Sequence, residues 1–230
     1  MTDRAGGYGA AVRTLLRREP SAVLFAAQLA SLLVYPAMEG NQVGPALFSV
    51  LGFTNLGLVV RAVRASPAWT WLGIALAIPA SVLLLIQIVT GSNDLQPWSS
   101  AFEAPLYFYA AGALIAYMLA DHDITRDELF AVGATFTLVA WGFAYLYVVC
   151  QAAAPESFTA AVDPNDPRTW VELLFLSFTT LSSTGLSDVV PIRPFARSLV
   201  MFEQLAGIAY VAMVVSRLVG LTVMRGTQRP

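Results

Sequence analysis

The chain alternates long apolar runs with short polar breaks. Six runs are long enough to cross a membrane as helices, and they cover residues 21–38, 43–60, 68–90, 104–120, 129–152 and 195–224. The sixth would be about 43 Å long as a straight helix, so we expect it to tilt or to protrude from the bilayer. The pattern predicts an all-α membrane protein with six transmembrane helices.

One further apolar stretch, residues 170–181, is too short to span. As a helix it would rise about 18 Å, roughly half of a hydrocarbon core, and it leads into the polar run SSTGLSD. Thr169 and Glu172 have the spacing of a capping box, which predicts the start of this helix. Backbone groups left unpaired after it are tolerated at membrane depth only where protein buries them or water reaches them. We therefore predict a re-entrant pore helix and loop between the fifth and sixth spans.

The composition supports a polytopic membrane protein. Hydrophobic residues make up 57% of the 230 positions and charged residues 12%, and the mean hydropathy is +0.65. Thirteen basic residues, all arginine, nearly balance fifteen acidic ones, and no basic tract indicates nucleic-acid binding. The single cysteine, Cys150, and the single histidine, His122, exclude a disulfide framework and a His/Cys metal centre. We expect no cofactor, and we expect Cys150 to be a small buried apolar residue.

The arginines predict the orientation of the chain, because basic residues are retained in the cytoplasm. In a six-span arrangement most of them fall on one side, so residues 1–20 form a cytoplasmic segment and both termini are cytoplasmic. The other side carries acidic residues and three arginines, namely Glu39, Asp94, Glu103, Glu156, Asp163, Asp166, Arg168, Arg193 and Arg197. The re-entrant loop then enters from outside a plasma membrane, and the acids raise the local cation concentration at its mouth.

The run FLSFTTLSSTGLSDVVP resembles the pore module of prokaryotic potassium channels, whose usual form is close to S-F-V-T-L-T-T-V-G-Y-G-D-I-V-P. The likeness extends over about 50 residues, from 170 to 221. It implies a pore domain over 129–224, with an outer helix at 129–152, a pore helix at 170–181, a selectivity filter at 183–188 and an inner helix at 195–224.

The resemblance also assigns roles residue by residue. The filter positions that would bind ions are Ser183, Thr184, Gly185, Leu186 and Ser187, with K⁺ at the first three. Asp188 matches the aspartate after the filter, where it would brace the filter, attract cations or only cap a turn. Glu203 is an acid inside a span, and because such acids are costly we predict that it supports the filter. Gly207 matches a gating hinge, although close helix packing is an equal alternative.

The filter departs from the usual pattern in two places. Ser187 stands where the family has its second glycine, so we expect strain at its Cβ. Leu186 replaces the filter tyrosine and lacks its hydroxyl. The run STGLSD also looks like the single-glycine loops of the Trk and Ktr potassium transporters. Both departures predict weak potassium selectivity, with the hydroxyls of Ser183 and Thr184 as additional oxygen ligands.

Residues 21–120 occupy the place of a voltage-sensor domain but lack its arginine ladder. The fourth run, EAPLYFYAAGALIAYMLADHD, contains no arginine or lysine, so we predict that the protein does not sense voltage. Gln28 and Gln87 are lone polar groups that we expect to link helices. His122 lies in a charged turn, where a solvated histidine is favoured over a proton sensor.

These observations predict a homotetramer that conducts monovalent cations passively, because a filter ringed by carbonyls needs about four loops. It would contact membrane lipids and would not be an enzyme, since serine and histidine are never placed at helical spacing within a span. Two alternatives stay open. The first is a non-selective sodium and potassium channel, and the second is a non-conducting membrane sensor or scaffold with a channel-like fold.

Overall fold

A computed structural model describes residues 19–38, 52, 54–61, 69–91, 94–120 and 125–227. Six helices are present in this part of the chain: α1 (Pro20–Met38), α2 (Thr70–Thr90), α3 (Gln96–Leu119), α4 (Arg126–Ala153), α5 (Trp170–Leu181) and α6 (Pro194–Thr227). Residues 54–61 are also helical. Two short strands, β1 (Phe158–Thr159) and β2 (Val190–Pro191), flank α5 in the sequence.

Four of the described helices are long and apolar enough to cross a membrane, namely α2, α3, α4 and α6. The predicted first span corresponds to α1, a helix of 19 residues. Most of the predicted second span, residues 43–60, lies outside the described residues. His122 also lies outside them. The helical membrane architecture is therefore present, with four candidate spans where the sequence predicts six.

Helix α3 begins eight residues before the predicted fourth span, which starts at residue 104. Pro97 in its first turn lacks the N–H that an interior helical position needs, and its fixed φ suits a helix start. The polar residues before the apolar run are therefore helical. Glu103, which the arginine placement assigns to the outer side of the membrane, lies in this helix and is only 6% exposed. The apolar pattern misplaced this boundary because polar residues interrupt the first turns of α3, whose sequence begins QPWSSAFE.

Helix α4 is the central element of the fold. It packs against α1, α3, α5 and α6. A first hydrophobic core joins its inner residues to α1, to residues 54–61, to α2 and to α3. A second core joins Phe143, Tyr147 and Val148 of the same helix to α5, α6 and β1. Thus α4 connects the helices before it to the helices after it.

Hydrogen bonds that involve polar side chains join several of these helices. The Thr137 hydroxyl of α4 donates to the Gln28 amide oxygen of α1 at 2.6 Å. The Gln87 amide of α2 donates to the Ser99 hydroxyl of α3 at 3.0 Å. The Asp127 carboxylate accepts from the backbone N–H and the hydroxyl of Ser21, at 3.0 and 2.9 Å. The prediction that Gln28 and Gln87 link helices is confirmed by these contacts.

The two strands hold the ends of the segment that contains α5. They pair antiparallel, with Phe158 opposite Pro191 and Thr159 opposite Val190. The Ile192 N–H donates to the Ser157 carbonyl at 2.8 Å and continues the pairing. Because residues 158 and 191 are fixed to each other, α5 and the loop after it form one closed unit between α4 and α6.

We predict that the Gln28–Thr137 pair behaves as a coupled unit in stability measurements. Thr137→Val should lower the free energy of unfolding by about 0.5–2 kcal/mol, because it leaves a buried amide oxygen without its donor. Gln28→Met should cost a similar amount. The double variant should lose less than the sum of the single losses, since neither partner is then left unpaired. Additive losses in a double-mutant cycle, measured by unfolding in detergent, would contradict this coupling.

Candidate ion-conducting site

Helix α5 begins at a complete capping box. The Thr169 hydroxyl accepts from the Glu172 N–H at 3.3 Å, and the Glu172 carboxylate accepts from the Thr169 N–H at 2.6 Å. The helix runs for 12 residues, as its length in the sequence predicts. It is therefore about 18 Å long, and its carbonyl end, with the partial negative charge of the helix dipole, leads into the loop that starts at Ser182.

A buried arginine fixes the chain immediately before α5. The Arg168 guanidinium donates to the carbonyls of Val162, Asp163 and Asp166, and it forms an ion pair with Glu172 at 3.1 Å. Its backbone exchanges two hydrogen bonds with the Gln151 amide at the end of α4, at 2.8 and 2.9 Å. The start of α5 is therefore attached both to the preceding loop and to α4.

The loop after α5 folds back onto the end of the helix. The backbone N–H groups of Thr184 and Gly185 both donate to the Thr179 carbonyl, at 2.9 and 3.0 Å. The Thr184 hydroxyl donates to the same oxygen at 3.2 Å. Successive N–H groups converging on one oxygen form a small concave cradle, which here encloses the exposed carbonyl of a helix end. These bonds set the direction of the loop backbone.

This arrangement turns two carbonyls away from α5. In a trans peptide the C=O and N–H groups point in opposite directions, and no described peptide bond is cis. The N–H of Thr184 shares a peptide with the Ser183 carbonyl, and the N–H of Gly185 shares one with the Thr184 carbonyl. Both oxygens therefore face away from the helix, and among the described residues no hydrogen bond ends on them. Carbonyl oxygens in this position suit monovalent cations.

The backbone reaches this shape through two residues with positive φ. Gly185 has φ of 65°, which glycine adopts without strain, whereas Ser183 has φ of 60° and carries a Cβ. The strain that we expected at Ser187 is absent, since its φ is not positive. The Ser187 hydroxyl instead accepts from the Val189 N–H at 3.0 Å, which closes a local turn that a second glycine could not make. The strained position is thus Ser183.

The side chains of the loop differ in their surroundings. The Thr184 hydroxyl is turned toward α5 and lies 3.1 Å from the Ser182 hydroxyl, so it faces away from the side to which the carbonyls point. Leu186 is 77% exposed in the isolated chain, and Asp188 is also exposed. Among the described residues no contact supports the predicted role of Asp188 in bracing the filter, and that role stays a prediction.

Glu203 of α6 is fully buried behind α5. One carboxyl oxygen contacts the Ser177 hydroxyl of α5, and the other contacts the Tyr147 hydroxyl of α4. The Ser177 hydroxyl also lies 2.8 Å from the Ala140 carbonyl of α4. Glu203 therefore joins three helices and does not reach the loop itself.

Gly207, one helical turn after Glu203, lies against the end of α5. A Cβ at this position would overlap the Leu181 carbonyl oxygen and would lie 2.9 Å from its carbonyl carbon. Only glycine permits this approach of two backbones. The contact gives Gly207 a packing requirement, and its role as a hinge stays a prediction.

The sequence of this region is similar to those of known proteins. A family model described as "Ion channel" matches residues 133–223, which run from α4 through α5 and the loop into α6. Protein LctB of Geobacillus stearothermophilus is 30% identical over 107 residues, which cover 45% of this chain and 79% of that relative. The chain belongs to the ion channel family. No solved structure matches it.

The structure brings some of the predicted residues of the channel together and leaves others apart. Ser183, Thr184 and Gly185 form one loop on the end of α5, while Glu203 and Gly207 lie behind and beside that helix. Sequence reasoning missed the partners that hold these positions, namely Gln151, Arg168, Tyr147, Ser177 and the Leu181 carbonyl. A lone serine in the apolar run of α5 was the available signal for Ser177. The contact of Leu181 is made by its backbone, so no side-chain pattern could have indicated it.

We predict that Gly207→Ala destabilises the channel by about 1–3 kcal/mol, because α5 must move away from α6 to admit the methyl group. The measurement is the thermal unfolding of protein purified in detergent and lipid. Gly220→Ala is the matched control, since the same helix leaves open space around that position. Equal stability of the two variants would show that α5 and α6 do not approach as closely as described.

Proposed function

We propose that four copies of this chain surround a central pore that conducts monovalent cations passively, with weak preference for potassium. The observation that carries the proposal is the direction of the Ser183 and Thr184 carbonyls, which point away from α5 with no hydrogen-bond donor among the described residues. In this proposal they face the permeating ion together with the Gly185 carbonyl. Leu186 and Ser187 continue the filter, and Asp188 lies at its outer end.

The weak selectivity follows from the loop geometry. Selection of potassium depends on several consecutive carbonyl sites that together replace the hydration shell. Here the turn closed by the Ser187 hydroxyl takes the place of the second glycine. This arrangement supports sites at Ser183, Thr184 and Gly185, and fewer or wider sites beyond them.

The tetramer follows from the need for a closed ring of carbonyls, since one chain supplies one loop. The outer face of α6 supports it, because a stripe of large apolar residues there is largely exposed in the isolated chain. This stripe consists of Met201, Leu205, Ile208, Val211, Val215 and Val219, each more than half exposed in the isolated chain. Such a face needs lipid, another subunit or both.

The remaining features of the proposal come from charge placement. The channel would lie in the plasma membrane with both termini cytoplasmic, as the arginines predict. It would not sense voltage, since α3 contains no basic residue from Gln96 to Leu119. The acidic residues Asp163, Asp166 and Asp188 are exposed near α5 and would attract cations.

We expect purified protein in liposomes to be a tetramer by mass and to conduct potassium, and Gly185→Ala to abolish the flux. A Cβ at φ of 65° costs about 1–2 kcal/mol, which would displace the carbonyls on either side of it. Gly91→Ala is the matched control, because Gly91 has the same φ of 65° and lies at the end of α2. Its flux should equal that of the unmodified protein.

The same measurement separates the alternatives. A stable monomer or dimer would contradict the central pore. A tetramer without flux would indicate a non-conducting sensor or scaffold, and equal sodium and potassium fluxes would indicate a non-selective channel. Equal loss of flux in Gly185→Ala and Gly91→Ala would mean that backbone strain anywhere disrupts the protein, and the loop would then have no special role.

For selectivity, we predict that the double variant Leu186→Tyr with Ser187→Gly raises the preference for potassium over sodium. The double change restores the usual residues at both outer positions and removes the turn that the Ser187 hydroxyl closes. Reversal potentials under mixed sodium and potassium gradients give the measurement. Strong potassium selectivity in the unmodified protein, unchanged in the double variant, would show that other groups bind the ion.

A further inference from the structure

The contacts around Glu203 constrain where hydrogens can lie in this part of the protein. Its two carboxyl oxygens contact the Ser177 and Tyr147 hydroxyls. The Ser177 oxygen also lies 2.8 Å from the Ala140 carbonyl oxygen. Four oxygen-bearing groups from α4, α5 and α6 therefore form one chain, and each contact in that chain requires one hydrogen.

Counting hydrogens shows that two hydroxyls cannot supply the three contacts. The Tyr147 hydroxyl supplies the contact to Glu203. The Ser177 hydroxyl has a single hydrogen, and a backbone carbonyl has none to give. If Ser177 donated to an ionised Glu203, two oxygens with only lone pairs would face each other at 2.8 Å at Ala140. The set needs one more hydrogen, and the carboxyl group of Glu203 is the member that can carry it.

The surroundings of Glu203 are also unfavourable to a charge. Its side chain is 0% exposed. None of the ion pairs among the described residues includes it, since these are Arg168–Glu172, Arg193–Glu156 and Arg217–Glu128. A buried carboxylate without a cation is costly, whereas a carboxylic acid with a donor and an acceptor on its two oxygens is satisfied.

We propose that Glu203 is a neutral carboxylic acid whose O–H donates a hydrogen bond to the Ser177 hydroxyl, and that this bond positions α5. The order of donors is then Tyr147 to Glu203, Glu203 to Ser177, and Ser177 to the Ala140 carbonyl. Glu203 is a positioning residue, because it acts on the candidate filter through α5 and touches no ion. The functional part of this proposal rests on the proposed ion conduction, whereas the protonation state does not.

The position of the chain indicates what it does for the loop. Ser177 lies two residues before Thr179, whose carbonyl holds the N–H groups of Thr184 and Gly185. Glu203 lies one turn from Gly207, which contacts the end of α5 at Leu181. The proton on Glu203 thus joins α4 and α6 to the part of α5 that directs the Ser183 and Thr184 carbonyls.

The protonation state can be measured without any ion flux. Infrared difference spectra of the purified channel in lipid at neutral pH, unmodified protein minus Glu203→Gln, should show the C=O stretch of a protonated carboxyl that shifts in D₂O. Ser177→Ala should shift this band, because the acid loses its acceptor. Glu103→Gln is the matched control, since Glu103 is another buried glutamate and its replacement should leave the Glu203 band unchanged. Carboxylate bands in place of the C=O stretch would overturn the proposal.

The choice of substituent tests the positioning role. Glutamine can form the same two hydrogen bonds as the neutral acid, because its amide N–H can donate to Ser177 while its carbonyl accepts from Tyr147. Glu203→Gln should therefore retain the melting temperature, the tetramer and the potassium preference. Glu203→Met has a similar size without polar atoms, and it should lower the melting temperature and lose potassium preference.

If Glu203→Gln fails to assemble into the tetramer, the proposal is overturned. Glutamine resembles a neutral acid but not a carboxylate, so this failure would indicate that Glu203 is ionised. A Glu203→Met variant that equals the unmodified protein in both measurements would overturn the positioning role alone. An unmodified protein that carries the infrared band but no flux would contradict the proposed conduction and leave the protonation state established.

Discussion

A helix too short to cross the membrane must be held inside the protein by contacts with longer helices, and the candidate site depends on this constraint. Helix α5 has 12 residues, and the loop after it leaves carbonyls without donors among the described residues. Such backbone is tolerated at membrane depth only when protein encloses it or water reaches it. The contacts of α5 therefore decide whether the loop can exist in this form.

Those contacts lie at both ends of α5 and in its middle. At its start, the capping box and the buried Arg168 attach it to the preceding loop and to Gln151 of α4. In its middle, Ser177 joins it to Glu203 and to the Ala140 carbonyl. At its end, Gly207 lets α6 approach the Leu181 backbone. The helix is held along its whole length, so the loop starts from a fixed point.

The loop gains its second fixed point from the pairing of β1 and β2. Between these points, the Thr179 carbonyl accepts hydrogen bonds from the N–H groups of Thr184 and Gly185. The carbonyls of Ser183 and Thr184 therefore point away from α5. The direction of the candidate ion ligands is thus a consequence of satisfying the end of a helix. This gives a physical reason for the sequence order of the site: a capped short helix, a run of small polar residues with one glycine, and a long helix with an early glutamate and glycine.

Most of the helices, and the short helix α5 with its polar loop, could be predicted from the sequence, because they depend on local patterns. The apolar runs predicted the candidate spans, the Thr169–Glu172 spacing predicted the start of α5, and the polar run with Gly185 predicted the loop. The prediction of the start of α3 was wrong, because polar residues interrupt its first turns and no continuous apolar run marks them. Only the tertiary structure decided that Ser183 and not Ser187 has the positive φ, that Gly207 contacts Leu181, and that Glu203 meets Tyr147 and Ser177. These features depend on residues far apart in the chain, or on backbone groups that all amino acids share, so no local pattern specifies them.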